Sequence, residues 1–452
     1  MQKLALGCLV LAVPILHAAD LAHAVAEQSD SLLATYEDIH AHPELSHHEA
    51  RTSAILARGL RAAGYTVTEH VGIYPDGSPA FGVVGILANG AGPTLLIRGD
   101  MDALPIVEET GLPYASHVTT RNADGQEVGV MHACGHDVHT TVLLGTARTL
   151  AATRAAWHGT VMIVGQPSEE TIDGAKAMLA DHLYQRFGRP DMIIGLHDTN
   201  ALPAGEVGIL AGPQSASSTS IDVVIRGIGG HGAAPQAGRD PVTLAAYYVT
   251  QIQTIVSREE DPQDPSVVTV GSIHGGTKRN IIPDEVRLEL TTRAYSDKSR
   301  RIIIDGLRQI AAGITTSANL PPEKAAVVTV LDNESTPVQY NDPALTARVT
   351  GLLVRALGAA RVKPAERLMG SEDVGVFGMN ADLTRNEIPV VYFRLGAMDP
   401  AKFAAAVAAG KRLPGPHTSH FEPLPKPTLE TGVTAMSAVA TGLLQPPLAA
   451  RR

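Results

Sequence analysis

Four short clusters in the first half of the chain carry most of its chemistry: RGDMD (98–102), HACGHD (132–137), QPSEE (166–170) and GLHD (195–198). They supply Asp100, Asp102, Cys134, His136, Glu169, Glu170 and His197. Imidazole, thiolate and carboxylate in this mixture are the donors a hydrolytic divalent-metal centre uses. A lone Cys-Gly-His would be an idle turn and a lone Glu-Glu a solvated surface, so the information lies in their order and surroundings. Three clusters close apolar runs, PTLLIRGD, TVMIVGQP and DMIIGLHD. Short Val, Ile and Leu runs bounded by Gly and Pro predict buried parallel strands, and open α/β sheets bind ligands beyond the carboxyl ends of such strands. The expectation is that all four clusters converge there, at four strand ends.

The remaining sequence has to position those groups. A length of 452 residues exceeds a single core and predicts two domains. Helix is expected over 31–63 with a break at His42-Pro43, strands over 81–87 and 93–98, and a helix over 138–155 leading away from HACGHD. Strand and helix alternate through 161–164, 175–187 and 192–196, an α/β signature. Beyond Gly212-Pro213 the pattern changes. Ile221, Val223 and Ile225 alternate with polar residues, then GIGGHGAAP, a helix, two strands, a helix and VVTVLD follow, the βαββαβ order of a ferredoxin-like α+β unit. We place that unit at 215–333 as an insertion, with 25–214 and 334–452 forming the first domain.

At the N-terminus, Lys3 precedes an apolar stretch over 4–16, and Ala22-His23-Ala24 offers a small-x-small cleavage site. This predicts a signal peptide over 1–24 and a secreted or periplasmic protein; the apolar stretch is too short to span a bilayer. Of the two cysteines only Cys134 would then remain, which excludes an intramolecular disulfide and calls for a partner such as a metal. A net charge of -10 argues against nucleic-acid binding.

In this order the motifs RGDMDALP, HACGHD, QPSEE, GLH, GGHGAAP, RNIIPD, MGSEDVGVF and a C-terminal His-Thr-Ser-His-Phe resemble the amidohydrolase family of hippurate hydrolase and the auxin amino-acid conjugate hydrolases. That family sits in the wider clan of two-metal aminoacylases and carboxypeptidases. The resemblance runs over about 31–444 and is far more specific for fold and cofactor than for substrate. It implies an α/β, aminopeptidase-like catalytic domain, a mixed sheet flanked by helices, with two adjacent divalent ions and an inserted ferredoxin-like lid that mediates dimerisation. By motif match, Cys134, His136, Glu170, His197 and His417 would be ligands and Glu169 the general base. His420 competes with His417, because Ser419 stands where the family often has Pro. QPSEE for QPAEE and Asp198 after the GLH histidine are further departures, and Asp198 could alter the surroundings of the ligands.

Chemistry accounts for these types. Pro167 ends the strand, so Glu169 and Glu170 can approach one centre although successive strand side chains point apart. Gly135 permits a bend that brings Cys134 and His136 together, and the thiolate could bridge two ions. Asp102 and Asp137 read as orienters that fix a ligating histidine's tautomer, while Asp100 is a weaker candidate ligand. His231 of GGHGAAP suits oxyanion stabilisation and substrate binding, in the wider clan from the partner subunit. Asn280 could hold the substrate's polar groups or be a turn residue, and Arg293 could pair with a substrate carboxylate or lie on the surface. Glu372 would support the metal site or its loop, with Ser371 a possible N-cap. Zinc, manganese, cobalt and nickel all tolerate these donors. The function implied is hydrolysis of N-acyl amino acids by a homodimer or higher homo-oligomer, with a carboxypeptidase or dipeptidase, or a binding protein that has lost turnover, as alternatives.

Overall fold

The computed structural model describes residues 18–121, 125–380, 383 and 385–445. Most of the expected leader, residues 1–17, lies outside them. From Ala18 the chain is already in α1 (Ala18–Ala41), where Leu21 and Val25 belong to the buried core. After α2 (Ala50–Ala62) come β1 (Thr66–Ile73), β2 (Pro79–Asn89), β3 (Thr94–Asp100), α3 (His136–Ala152), β4 (Gly159–Gln166), α4 (Gly174–Ala180), α5 (Leu183–Phe187), β5 (Met192–Pro203) and β6 (Val207–Ile209). The insertion contributes β7 (Ser217–Arg226), α6 (Pro241–Thr254), β8 (Val267–Gly275), β9 (Glu285–Ala294), α7 (Asp297–Ser317) and β10 (Val327–Thr336). The chain then returns through α8 (Pro343–Leu357), β11 (Val362–Pro364), β12 (Val390–Met398), α9 (Pro400–Ala408) and α10 (Pro425–Leu443).

The large sheet has eight strands in the order β1-β2-β4-β3-β5-β12-β6-β11. Its centre, β4-β3-β5-β12, is parallel, and antiparallel pairs flank it. The central strands are almost wholly buried because helices cover both faces. On one side Leu32, Leu56, Val142, Val349, Val433 and Val439 pack against Leu95, Ile97, Ile163 and Ile194. On the other, Met178, Leu183 and Phe377 cover Leu96, Met162 and Ile193.

The second sheet, β8-β9-β7-β10, is antiparallel throughout, the strand order that a βαββαβ chain produces when its hairpin pairs beside the first strand. Its core draws only on its own segment: Ile221, Val223 and Ile225 from β7, Tyr248 and Ile252 from α6, Ile303 and Leu307 from α7. Lys176 of α4 joins it to the α/β body by donating to the carbonyls of Asp332, Asn333 and Ser335. No helix among the described residues is long and apolar enough to cross a membrane.

Three features differ from the sequence reading. HACGHD does not close a strand; it forms the turn into α3, so three strands and one helix N-terminus deliver the clusters. The helix expected over 175–187 is two helices, because His182 adopts a φ of 58° between them. β1 was not expected: its residues are mostly half-exposed and carry no apolar run.

Candidate metal centre

Cys134 and His136 flank Gly135, whose φ is 78° and where a Cβ would come within 2.2 Å of the Asp198 carboxylate. Glycine is needed here for both reasons. β4 stops at Gln166, and Ser168 takes a φ of 52° while its hydroxyl meets Tyr74 Oη at 2.6 Å. That bend lets both glutamates turn inward: Glu169 Oε2 and Glu170 Oε1 each lie 3.9 Å from His136 Nε2. His197 projects from the sixth position of β5, with Nε2 3.5 Å from the Cys134 sulfur, and its Nδ1 hydrogen-bonds the Asp198 carbonyl at 2.7 Å. His417, at a φ of 65°, points Nε2 to within 3.4 Å of Glu170 Oε2.

Donor atoms of Cys134, His136 and His197 lie within 4.8 Å of one another, as do those of Cys134, Glu170 and His417, and those of His136, Glu169 and Glu170. Asp102 holds this arrangement: Oδ1 meets His136 Nδ1 at 3.1 Å, while Oδ2 accepts from Ser46 Oγ and the Glu170 amide. His136 is therefore fixed with Nε2 turned inward, where that buried nitrogen and Glu170 Oε1 make no hydrogen bond among the described residues. Donors that are buried or nearly so apart from the exposed His417, with unsatisfied atoms converging on one point, fit a divalent cation.

The electrostatics agree. Burial lifts Glu169 well above the usual carboxylate range, and Glu372, Glu170 and Asp373 add to it. Burial likewise raises Glu170, to about 7, and pushes the Cys134 thiol well up. Three acidic groups of ligand type, Glu169, Glu170 and Cys134, packed together with raised pKa values make a situation that bound cations relieve.

Other sequence candidates fall elsewhere. Asp100 is the exception: its carboxylate lies 3.8 Å from His136 Nε2 and its donor atom is grouped with those of His136 and His139 within 4.8 Å, but it is already bound to Arg98 and to His139 Nδ1 at 2.5 Å. Asp137 orients no candidate ligand; its carboxylate meets His40 Nδ1 at 2.6 Å. His420 faces Glu109 and Ser419 on the surface. Glu372 pairs with Arg98 at 2.9 Å and accepts the amides of Asp373 and Val374, which secures its loop, whereas Ser371 meets the Arg293 guanidinium instead of capping a helix. His231 pairs with Ile281 on a two-residue ladder of the insertion and Asn280 lies just before it, accepting the Gly232 amide; both are exposed and neither lines the cavity below.

His139 was missed. It stands one helical turn after His136, and its Nε2 accepts the Asp198 amide at 2.9 Å, tying α3 to β5 beneath the site; i,i+3 spacing from His136 was the available signal. Arg98, the buried cation that binds Gln166, Asp100, Glu372 and Asp373, was quoted only as part of its motif.

A cavity of about 760 Å³ opens above these groups. Cys134, Glu169, Glu170, His197 and His417 form its floor, with Leu368, Phe403, Val407 and Leu413 among its apolar walls.

Residues 96–439 match the model of peptidase family M20/M25/M40. The chain belongs to this family. Among M20 relatives, it is 34% identical to hippurate hydrolase of Campylobacter jejuni, covering 75% of this chain and 82% of that protein. It is 33% identical to an IAA-amino acid hydrolase of Arabidopsis thaliana, over 90% of this chain and 84% of the relative. It is 32% identical to thermostable carboxypeptidase 2 of Saccharolobus solfataricus, over 84% and 88%. Among solved structures, a dinuclear metal-binding M20 peptidase of Bacillus subtilis superposes with a TM-score of 0.73 at 26% identity, covering 93% of this chain and 99% of that one. An M20 peptidase fold with these convergent donors makes the chain a metal-dependent hydrolase of amide or peptide bonds.

Proposed function

We propose that the protein hydrolyses the amide bond of N-acyl amino acids to a carboxylic acid and a free amino acid, as a homodimer holding two divalent ions per subunit. The observation that carries the reading is the convergence of Cys134, His136, Glu169, Glu170, His197 and His417, all of which except His136 line one cavity with an apolar wall. Cys134, His136, Glu170, His197 and His417 would hold the ions. When bound, two such ions polarise a scissile carbonyl and acidify water. Glu169 would accept the attacking water's proton and return it to the departing amine. Its raised pKa in the metal-free protein would fall beside the cations, so metal loading sets it up as a base. Asp102 keeps His136 in the tautomer that leaves Nε2 available. The apolar wall suits an acyl group.

The names of the relatives favour this reading over a carboxypeptidase only by the acyl-amino-acid hydrolases among them, so both substrate kinds belong in one assay. Metal-reconstituted enzyme should cleave N-acyl amino acids faster than N-blocked dipeptides. Chelation should abolish turnover and lower Tm, because ligand binding to the folded state alone is stabilising. Full activity after metal removal verified by elemental analysis would overturn the metal reading, and faster peptide cleavage would overturn the substrate. Export belongs to the same proposal and rests on Lys3 and the apolar stretch over 4–16. Cleavage near Ala24 would remove Leu21 from the core, so N-terminal sequencing of the mature protein tests it directly.

A further inference from the structure

Arg394 lies in the middle of β12, where a central strand of a doubly covered sheet calls for an apolar residue; its neighbours Phe393 and Leu395 are such residues and are fully buried. The side chain is only 7% exposed, yet it lines the cavity. Its strand partner across β5 is His197, so both emerge from the sheet at the same level. Among the described residues no carboxylate lies within ion-pair distance of it: its one hydrogen bond runs from a terminal nitrogen to Ser215 Oγ at 3.1 Å. It also rests against the Tyr392 ring, 5.7 Å from the centroid. Its Nε makes no hydrogen bond among the described residues. Arg98, the other arginine at the base of the site, has three acidic partners and is spent.

A buried guanidinium with an unsatisfied face is costly and is retained where an anion completes it. We infer that Arg394 is a specificity-determining residue that receives a carboxylate of the substrate beside the scissile amide. This rests on the amide-hydrolase reading above. The guanidinium fork matches a carboxylate through paired hydrogen bonds, and its seat on a strand fixes it relative to His197. The cavity then recognises two halves of one ligand, an apolar group on the Leu368, Phe403 and Val407 wall and an anion at Arg394. The carboxylate can belong to the amine half, as in benzoylglycine, or to the acyl half, as in N-benzylsuccinamic acid.

The test uses full-length, metal-loaded protein, wild type, Arg394→Met and Arg394→Lys. Wild-type kcat/KM should favour a free acid over its uncharged counterpart, benzoylglycine over benzoylglycinamide or N-benzylsuccinamic acid over N-benzylbutanamide; the pair that shows the preference identifies which half carries the carboxylate. In Arg394→Met that preference should collapse by roughly 100-fold, mainly through KM, with Arg394→Lys in between. Metal content should stay at the wild-type value and Tm should not fall, because a cation without an acidic partner has been replaced by an apolar side chain. Calorimetry separates this inference from the reaction itself: N-benzylglycine keeps the carboxylate and lacks the scissile carbonyl. Wild type should bind it more tightly than N-benzylglycinamide, and the variants should lose the difference. Equal affinity of wild type for the two, or a preference left intact in Arg394→Met, overturns the assignment. Absence of turnover with the acid preference in binding intact would instead sink the amide-hydrolase reading and leave Arg394 as an anion receptor.

Discussion

The two adjacent glutamates are chemically alike and differ in what surrounds them. Glu170 has its amide bound by Asp102 and its carboxylate between His136 and His417, while Glu169 faces His136, with Glu372 and Asp373 adding to its raised pKa. Glu169→Gln is expected to keep its metal and bind substrate but lose turnover by roughly 100-fold or more, as expected when a general base is removed. Glu170→Gln should lose metal, so elemental analysis of both variants decides the pair; swapped phenotypes reverse the assignment. The C-terminal histidines separate in the same way. His417 reaches Glu170, and His420 reaches only Glu109 and Ser419, so His417→Ala should reduce metal occupancy and His420→Ala should leave it near wild type. Loss of metal in the second variant alone would place the motif three residues off. At this scale residue identities were readable from sequence, but partnerships across the fold were not. Asp102 and Asp137 look equivalent as orienters, and only the approach of α1 shows that Asp137 serves His40.

Elements were legible where burial leaves an apolar run and illegible where it does not. β3, β4 and β5 are enclosed on both faces and announce themselves, whereas β1 lies at the sheet edge with Val71 among its few buried residues and reads as loop. The link between α1 and the turn into α3 was likewise invisible, being made by residues 97 apart. His40 sits between Asp137 at 2.6 Å and Glu108 at 3.0 Å, all three side chains buried. Burial alone would lower its pKa, but hydrogen bonds to Asp137 and Glu108 outweigh it and raise the value from 6.5 to about 10. A group raised in this way contributes stability that is fully present below the unfolded value near 6.5 and is lost as pH rises through about 10. Wild-type Tm should therefore decline across that window. His40→Gln should start from a lower Tm, being destabilised by about 3 kcal/mol or more for a broken buried ion pair, and respond less to pH. Calorimetric scans in matched buffers check this, and parallel curves for the two proteins would refute the role given to His40.

On the scale of the whole molecule, the two sheets divide the chemistry unequally. All candidate ligands and the base stand on the α/β body, while the ferredoxin-like unit carries His231 and Asn280, side by side and exposed, outside the cavity of their own chain. Sequence motifs named both residues as parts of the site, and only the family resemblance, not the residues themselves, pointed to the partner subunit's site as the one they complete. Two motions could supply them: closure of the unit over its own body, or docking of a partner subunit. The proposed homodimer makes the second distinguishable. A Glu169→Ala subunit still presents an intact His231, and a His231→Ala subunit keeps an intact metal site and base. If each cavity borrows its histidine from the partner, a mixed dimer of these two inactive variants contains one complete site. It should then recover up to about half of a wild-type dimer's activity, because groups that act as a unit must be present together. Co-expression with different tags, purification through both and assay of the product give the measurement. A heterodimer that forms, carries its metal and remains as inactive as either parent would mean that His231 acts within its own chain or takes no part in the reaction.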